Sequence, residues 1–177
     1  MLELVTAFTN FDALKIPTQP YIFADHSQEE TNKLAKDLVQ AIYDNNGIGI
    51  SANQVGVPWS VFAMRGSPED FVVFNPKIVD YSQEIVKLDE ACLSFPGLVI
   101  PIKRPKLIRA RWAGPNGSID TYKYTGMTAR VFMHEYDHIQ GQLWFAGVNR
   151  LTLERAIKRA KKRGQDYSRM GLMRYCR

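Results

Sequence analysis

Met133-His134-Glu135-Tyr136-Asp137-His138 is a His-Glu-x-x-His stretch set in an apolar-periodic run, with Val131 and Phe132 before it and Ile139 after it. At ~100° per residue, positions i and i+4 of a helix lie one above the other on the same face. His134 and His138 can therefore grip one metal ion, with Glu135 beside them as a general base. The apolar companions predict that this helix, over about 127–140 and stopped by Gly141, is buried against a sheet. Two of the three histidines in the chain stand here. Three fixed positions also occur together by chance, as ordinary polar residues of a helix face, so the rest of the chain has to supply a third ligand.

Outward from that helix the elements follow in order. Ser27-Gln28-Glu29-Glu30 reads as a capping box, and Leu34, Leu38 and Ile42 continue at i, i+4, i+8 to a stop at Asn45-Asn46-Gly47. In Gly47-Ile48-Gly49-Ile50-Ser51-Ala52-Asn53-Gln54, glycines inside a strand-like segment mark a close approach to the backbone. The spacing matches neither a Walker loop nor a dinucleotide fingerprint. Short strands are expected at 59–65, 71–75, 98–100 and 106–112, with a strand pair in 78–88 and a hairpin return at 119–124 across Gly114-Pro115-Asn116-Gly117. Residues 89–97 end in turn residues. Thr152 caps a last helix with Leu153, Ala156, Ile157 and Ala160 on one face, ended by Gly164. The expected fold is one α+β domain over 1–164. It has largely antiparallel sheets around the buried His-Glu-x-x-His helix, an amphipathic C-terminal helix, and a basic, mobile tail over 165–177.

With 177 residues, 45% of them hydrophobic, the chain is long enough for a single packed core and is not of disordered composition. No apolar run approaches the ~18–20 residues of a membrane span, and Met1-Leu2-Glu3-Leu4 does not begin a signal peptide. No membrane partner and a cytoplasmic location are expected, with Cys92 and Cys176 as separate thiols. The net charge of +5 is uneven: residues 151–177 carry nine Lys/Arg against Glu154 and Asp166, a net of +7 that leaves −2 for the rest. His26 precedes a helix start and reads as a surface residue.

A catalytic metal site commonly takes three protein ligands and keeps one position open. The metzincin pattern would place a histidine at 144, where Trp144 stands, although Gly141 fits. The thermolysin pattern needs a downstream glutamate, and Glu154 falls at the start of a basic helix. Cys92 follows Glu90 and precedes a Ser-Phe-Pro-Gly turn, so its side chain can be aimed inward. A thiolate with two imidazoles suits Zn²⁺ or Fe²⁺ better than Mg²⁺ or Ca²⁺. A buried structural cysteine is the alternative, and spacing does not decide between them.

Three stretches together resemble the peptide deformylase family: Gly47 to Gln54, Glu90-Ala91-Cys92-Leu93-Ser94 and His134-Glu135-Tyr136-Asp137-His138. The resemblance spans about 28–160. Ser51, Ala91 and Met133 stand where the family has Ala, Gly and Gln. The resemblance implies a metal-dependent hydrolase that removes the N-formyl group from the initiator methionine of nascent polypeptides and releases formate. It implies one divalent ion, Fe²⁺ in the first place, with Zn²⁺, Ni²⁺ or Co²⁺ able to occupy such a site, on Cys92, His134 and His138. Glu135 would be the general base, with the Gln54 amide and the Leu93 backbone N–H donating to the oxyanion. Gly47, Ile48, Gly49, Phe95, Met127 and Val131 would contact substrate, although the apolar ones among them are equally readable as core. Glu90 and Asp137 would support the ligands, with Arg104 pairing to one of them. The partners implied are nascent formyl-methionyl peptides and, through the basic last helix, the ribosome. The competing readings are a zinc peptidase of another class and an RNA-binding protein with a decayed site.

Overall fold

The computed structural model describes residues 2–177. Its helices are α1 (Ala7–Asn10), α2 (Gln28–Asp44), α3 (Gly126–Ile139) and α4 (Arg150–Lys162). Its strands are β1 (Gly49–Ser51), β2 (Val61–Met64), β3 (Phe71–Tyr81), β4 (Ile85–Cys92), β5 (Phe95–Pro105), β6 (Leu107–Ala113) and β7 (Ile119–Thr125). Five strands form one antiparallel sheet in the order β1-β2-β3-β6-β7, and β4 and β5 form a separate antiparallel pair.

Strand alternation explains why the sheet is covered on both faces. All four residues of β2 are buried. Val61 and Ala63 point into the core shared with Leu38 and Ile42 of α2. Phe62 and Met64 point the other way, into the core shared with Phe132 and Met133 of α3. Successive strand residues face opposite sides, so a fully apolar strand requires a layer on each. A third core joins the β4–β5 hairpin to α4, with Cys92, Phe95, Leu98, Ile100 and Ile102 against Leu153, Ala156, Ile157 and Ala160.

The helix ends obey their local signals. Ser27 and Glu30 form the capping box at the start of α2, and Asn46 beyond its end takes φ 53°. The start of α4 is capped by Asn149, whose side chain accepts from the Leu151 N–H at 2.9 Å, three residues before the expected Thr152 cap.

Two strand expectations need correction. Residues 71–81 form one strand, because Asn75 at φ 48° absorbs an irregularity beside Pro76 while its amide pairs with both backbone groups of Tyr21 at 2.8 Å. Residues 95–105 also form one strand. The register passes from Ala91↔Val99 to Cys92↔Phe95, so residues 96–98 bulge out around Gly97 at φ 72°. Residues 165–177 were expected to be mobile; the structure places them against the hairpin core, with Tyr167 and Leu172 each 1% exposed. The apolar residues Tyr167, Met170, Leu172 and Met173, spaced among the basic ones, give that segment a face to bury.

Candidate metal centre

The site forms where α3 lies along β4. On a helix, i to i+4 is a rise of ~6 Å, and on a strand, i to i+2 spans ~6.6 Å. Two residues of each kind can therefore be matched across an interface. Glu90 and Cys92 share the inward face of β4, while Asp89 and Ala91 between and before them are exposed. Glu90 Oε2 lies 3.0 Å from His134 Nδ1, and Cys92 Sγ lies 3.1 Å from His138 Nε2. The candidate ligand atoms of Cys92, His134 and His138 all fall within 4.8 Å of one another, and all three residues are buried.

Glu90 is held from three sides. Arg104 donates to both of its oxygens, at 2.7 and 3.0 Å, and Arg130 donates at 2.6 Å. Burial opposes ionisation, but hydrogen bonds from His134 and Arg104 and their charges overcome it and hold the carboxyl at about 2. Arg104 also donates to Asp137 at 2.8 Å, so it pairs with both expected acids.

Gln54 sits in a 3₁₀ turn, Ala52–Val55. Its Oε1 accepts from the Ser51 N–H and faces the Ser51 hydroxyl, each at 2.9 Å. That orients Nε2, which donates to Ser94 Oγ at 2.9 Å and lies 3.5 Å from Cys92 Sγ. Ser94 Oγ in turn donates to the Val5 carbonyl at 2.7 Å. Asn53 Nδ2 donates to the carbonyl of His138 at 2.7 Å, tying this turn to the end of α3.

Glu135 packs against β1. A Cβ on Gly49 would stand 2.7 Å from Glu135 Oε1 and 2.8 Å from Val131 Cγ1, so any larger residue would have to displace the carboxylate and Val131. Burial pushes the Glu135 carboxyl well above the usual range; Arg104 opposes this, while Glu90 and Asp137 add to it. Burial likewise drives His138 well below its ordinary value, helped by the charges of His134 and Arg104. The Cys92 thiol is raised by burial and then by Glu135.

A cleft of about 470 Å³ opens over this group. Gly47, Ile48, Gly49, Gln54, Cys92, Leu93, Met127, Val131, His134 and Glu135 line it, and His138 lies beneath, fully buried. Phe95, expected to contact substrate, does not line it. The Leu93-Ser94 turn reverses the chain, so Phe95 pairs with Cys92 and points into the core beside Phe11, Phe145 and Tyr167. Pro96 and Gly97 form the wall there instead.

The sequence profile of the family described as polypeptide deformylase matches residues 2–154. The chain belongs to that family. The peptide deformylase of Rickettsia akari is 32% identical over 173 residues, covering 92% of this chain and 95% of its own. A peptide deformylase structure from Synechococcus elongatus, in complex with actinonin, superposes with TM-score 0.82 at 27% identity, over 94% of this chain and 87% of that one. The structure of a probable peptide deformylase from synechococcus phage S-SSM7 gives TM-score 0.75 at 30% identity, over 81% and 97%.

The deformylase family is metal-dependent, and the donor set fits a divalent ion. Glu135 Oε2, buried in the cleft lining beside one sulfur and two imidazoles, has no hydrogen-bond partner among the described residues. Glu90 gives His134 the carboxylate partner that orients a ligating imidazole. Sequence reasoning missed three supporting residues. Arg130 stands four before His134 on the same helical face, a spacing that pointed to it. Ser94 lies inside the cysteine motif. Trp144 packs on the His134 ring at 5.3 Å between centroids, and no local pattern marked it.

Proposed function

We propose that this deformylase-family chain removes the N-formyl group from the initiator methionine of nascent polypeptides, releasing formate. The observation that carries the reading is the convergence of Cys92, His134 and His138 with Glu135 and Gln54 at the floor of one cleft. Cys92 Sγ and one ring nitrogen from each histidine would hold a divalent ion, which would supply Lewis acidity there. Glu135 takes a proton from the attacking water and returns it to the leaving amine nitrogen. Its raised proton affinity suits a group that keeps a proton between two steps. One Gln54 Nε2–H is engaged by Ser94; the other, held only by a long 3.5 Å contact to Cys92 Sγ, is assigned with the Leu93 backbone N–H to the carbonyl oxygen that gains charge. Ile48 and Met127 are 54% and 58% exposed on the cleft, large apolar side chains without cover, which suits a methionine side chain. Val131 flanks them, and Gly47 and Gly49 line the same cleft beside β1, the edge strand of its sheet.

The resident ion is assigned as Fe²⁺ on the family resemblance, the soft thiolate and two imidazoles also suiting Zn²⁺, Ni²⁺ or Co²⁺. Residues 1–164 are read as one catalytic domain, onto which residues 165–177 pack through Tyr167 and Leu172. Among the described residues no helix is long and apolar enough to cross a membrane. The substrate, a nascent chain, supports a cytoplasmic site of action. Ribosome contact is assigned to the exposed basic face of α4 and its extension, including Arg155, Lys158, Arg159 and Lys162. Truncating α4 would strip the hairpin core, so charge reversal at Lys158, Arg159 and Lys162 is the cleaner test. Co-sedimentation with ribosomes at low salt should fall with thermal stability kept; unchanged co-sedimentation rejects the contact.

The reaction is tested by formate release from formyl-Met-Ala-Ser with metal analysis on anaerobically prepared, Fe²⁺-loaded protein. Glu135→Ala should keep its metal and lose about 10²–10⁴-fold in kcat. Cys92→Ser should lose both metal and activity. No formate from the loaded parent, or full activity in Glu135→Ala, sinks the reading.

A further inference from the structure

Residues 155–177 lie beyond the stretch that the family profile matches, yet two of them pack against the wall of the cleft. The Tyr167 hydroxyl donates to the Pro96 carbonyl at 2.8 Å. Its ring lies 6.2 Å from that of Phe95 and 4.7 Å from that of Phe8, between centroids. Gln165 covers the next residue along: a Cβ on Gly97 would meet Gln165 Cγ at 3.2 Å. Pro96 and Gly97 are cleft wall, and they fall in the bulge where the β4–β5 register skips residues 96–98. A bulge skipped by its own ladder depends on contacts from outside the hairpin to hold its shape.

We propose that Tyr167 is a positioning residue: its hydroxyl pins the Pro96 carbonyl and so sets the cleft wall against which the substrate chain lies. The inference rests on the deformylase reading and extends it to a segment outside the family motifs. The ligands and Glu135 stand on α3 and at the end of β4, and Tyr167 hydrogen-bonds to neither. Losing the hydroxyl should therefore loosen the wall without moving the metal or the base. A looser wall weakens ground state and transition state alike, which raises KM and spares kcat.

Tyr167→Phe keeps the ring and removes the bond, so folding should be retained; Gln165→Ala is the second variant. On metal-loaded full-length protein, Tyr167→Phe should raise KM for formyl-Met-Ala-Ser about three- to tenfold, the effect of one ordinary hydrogen bond. Metal content should match the parent and kcat should stay within about twofold. Amide exchange at residues 97–99 should quicken while α3 stays protected. An unchanged KM, a joint loss of kcat and metal, or unchanged exchange at the bulge overturns the proposal. If the parent releases no formate, the deformylase reading is what has failed, and the exchange pattern alone then decides whether Tyr167 holds the bulge.

Discussion

Ser51 is fully buried, and its hydroxyl sits 2.8 Å from Asn53 Oδ1 and 2.9 Å from Gln54 Oε1. One hydroxyl proton serves two acceptors, so Ser51 ties the Gln54 amide to the residue that holds the His138 carbonyl. Gln54 keeps the Ser51 backbone N–H whatever the side chain is. Ser51→Ala should therefore cost about 1–2 kcal/mol in stability, read by urea unfolding, and lower kcat by less than tenfold. A hundredfold loss would mean that the hydroxyl does more than orient. Glu90 answers to pH. Its carboxyl stays ionised in the fold down to about 2, against an ordinary 4.5. Its contribution is complete above 4.5 and is lost as pH falls toward 2, on the order of 3 kcal/mol. Glu90→Gln should be strongly destabilised at pH 7, because two buried arginines lose their counter-charge, and its stability should fall less than the parent's between pH 5 and 3. Equal acid slopes in the two proteins would exclude this carboxyl as the titrating group.

At the scale of elements, the decisive fit is between β1 and α3. Gly49→Ala drives a Cβ into Glu135 and Val131. We expect at least a hundredfold loss of kcat with metal content preserved, measured on loaded protein; near-parent activity would show that the carboxylate can move aside. The elements that carry a strong period were legible from the chain alone: α2 by its capping box, α3 by its apolar face, and the β6–β7 hairpin by its turn. Where the chain was misread, a local irregularity broke the period. Gly97 reads as a turn and is a bulge; the strand expected to stop at 75 runs on through Pro76 to Tyr81. Phe95 shows the limit for sites. Three residues from Cys92 in sequence, it looked like pocket, but a two-residue turn put it across the ladder and into the core. His134 and His138 were legible from their helical spacing, but Cys92 was assigned only through motif resemblance, because nothing in spacing says that β4 lies along α3. Arg130 carried a helical signal; Tyr167 carried none, since its partner is a backbone carbonyl 71 residues away.

At the scale of the molecule, the basic excess near the C-terminus does not mark a detached tail. The same 27 residues that hold the charge also bury Leu153, Ile157, Tyr167 and Leu172 under the ligand hairpin. Charge faces outward and packing faces the site, so one segment carries the basic surface and part of the hairpin core on opposite faces. The two sheets share no ladder. Cys92 belongs to the hairpin core, while the neighbours of the two histidines on α3 belong to the sheet core. A bound ion would thus be a cross-link between two separately packed halves, and its affinity would add to the free energy of unfolding. Chelation should lower the melting temperature, and exchange should quicken first around residues 90–94. In that sense a bound metal would be a fastener of the fold: the atoms proposed to do the chemistry would also join hairpin to sheet, beside the Arg130–Glu90 and Arg104–Asp137 pairs.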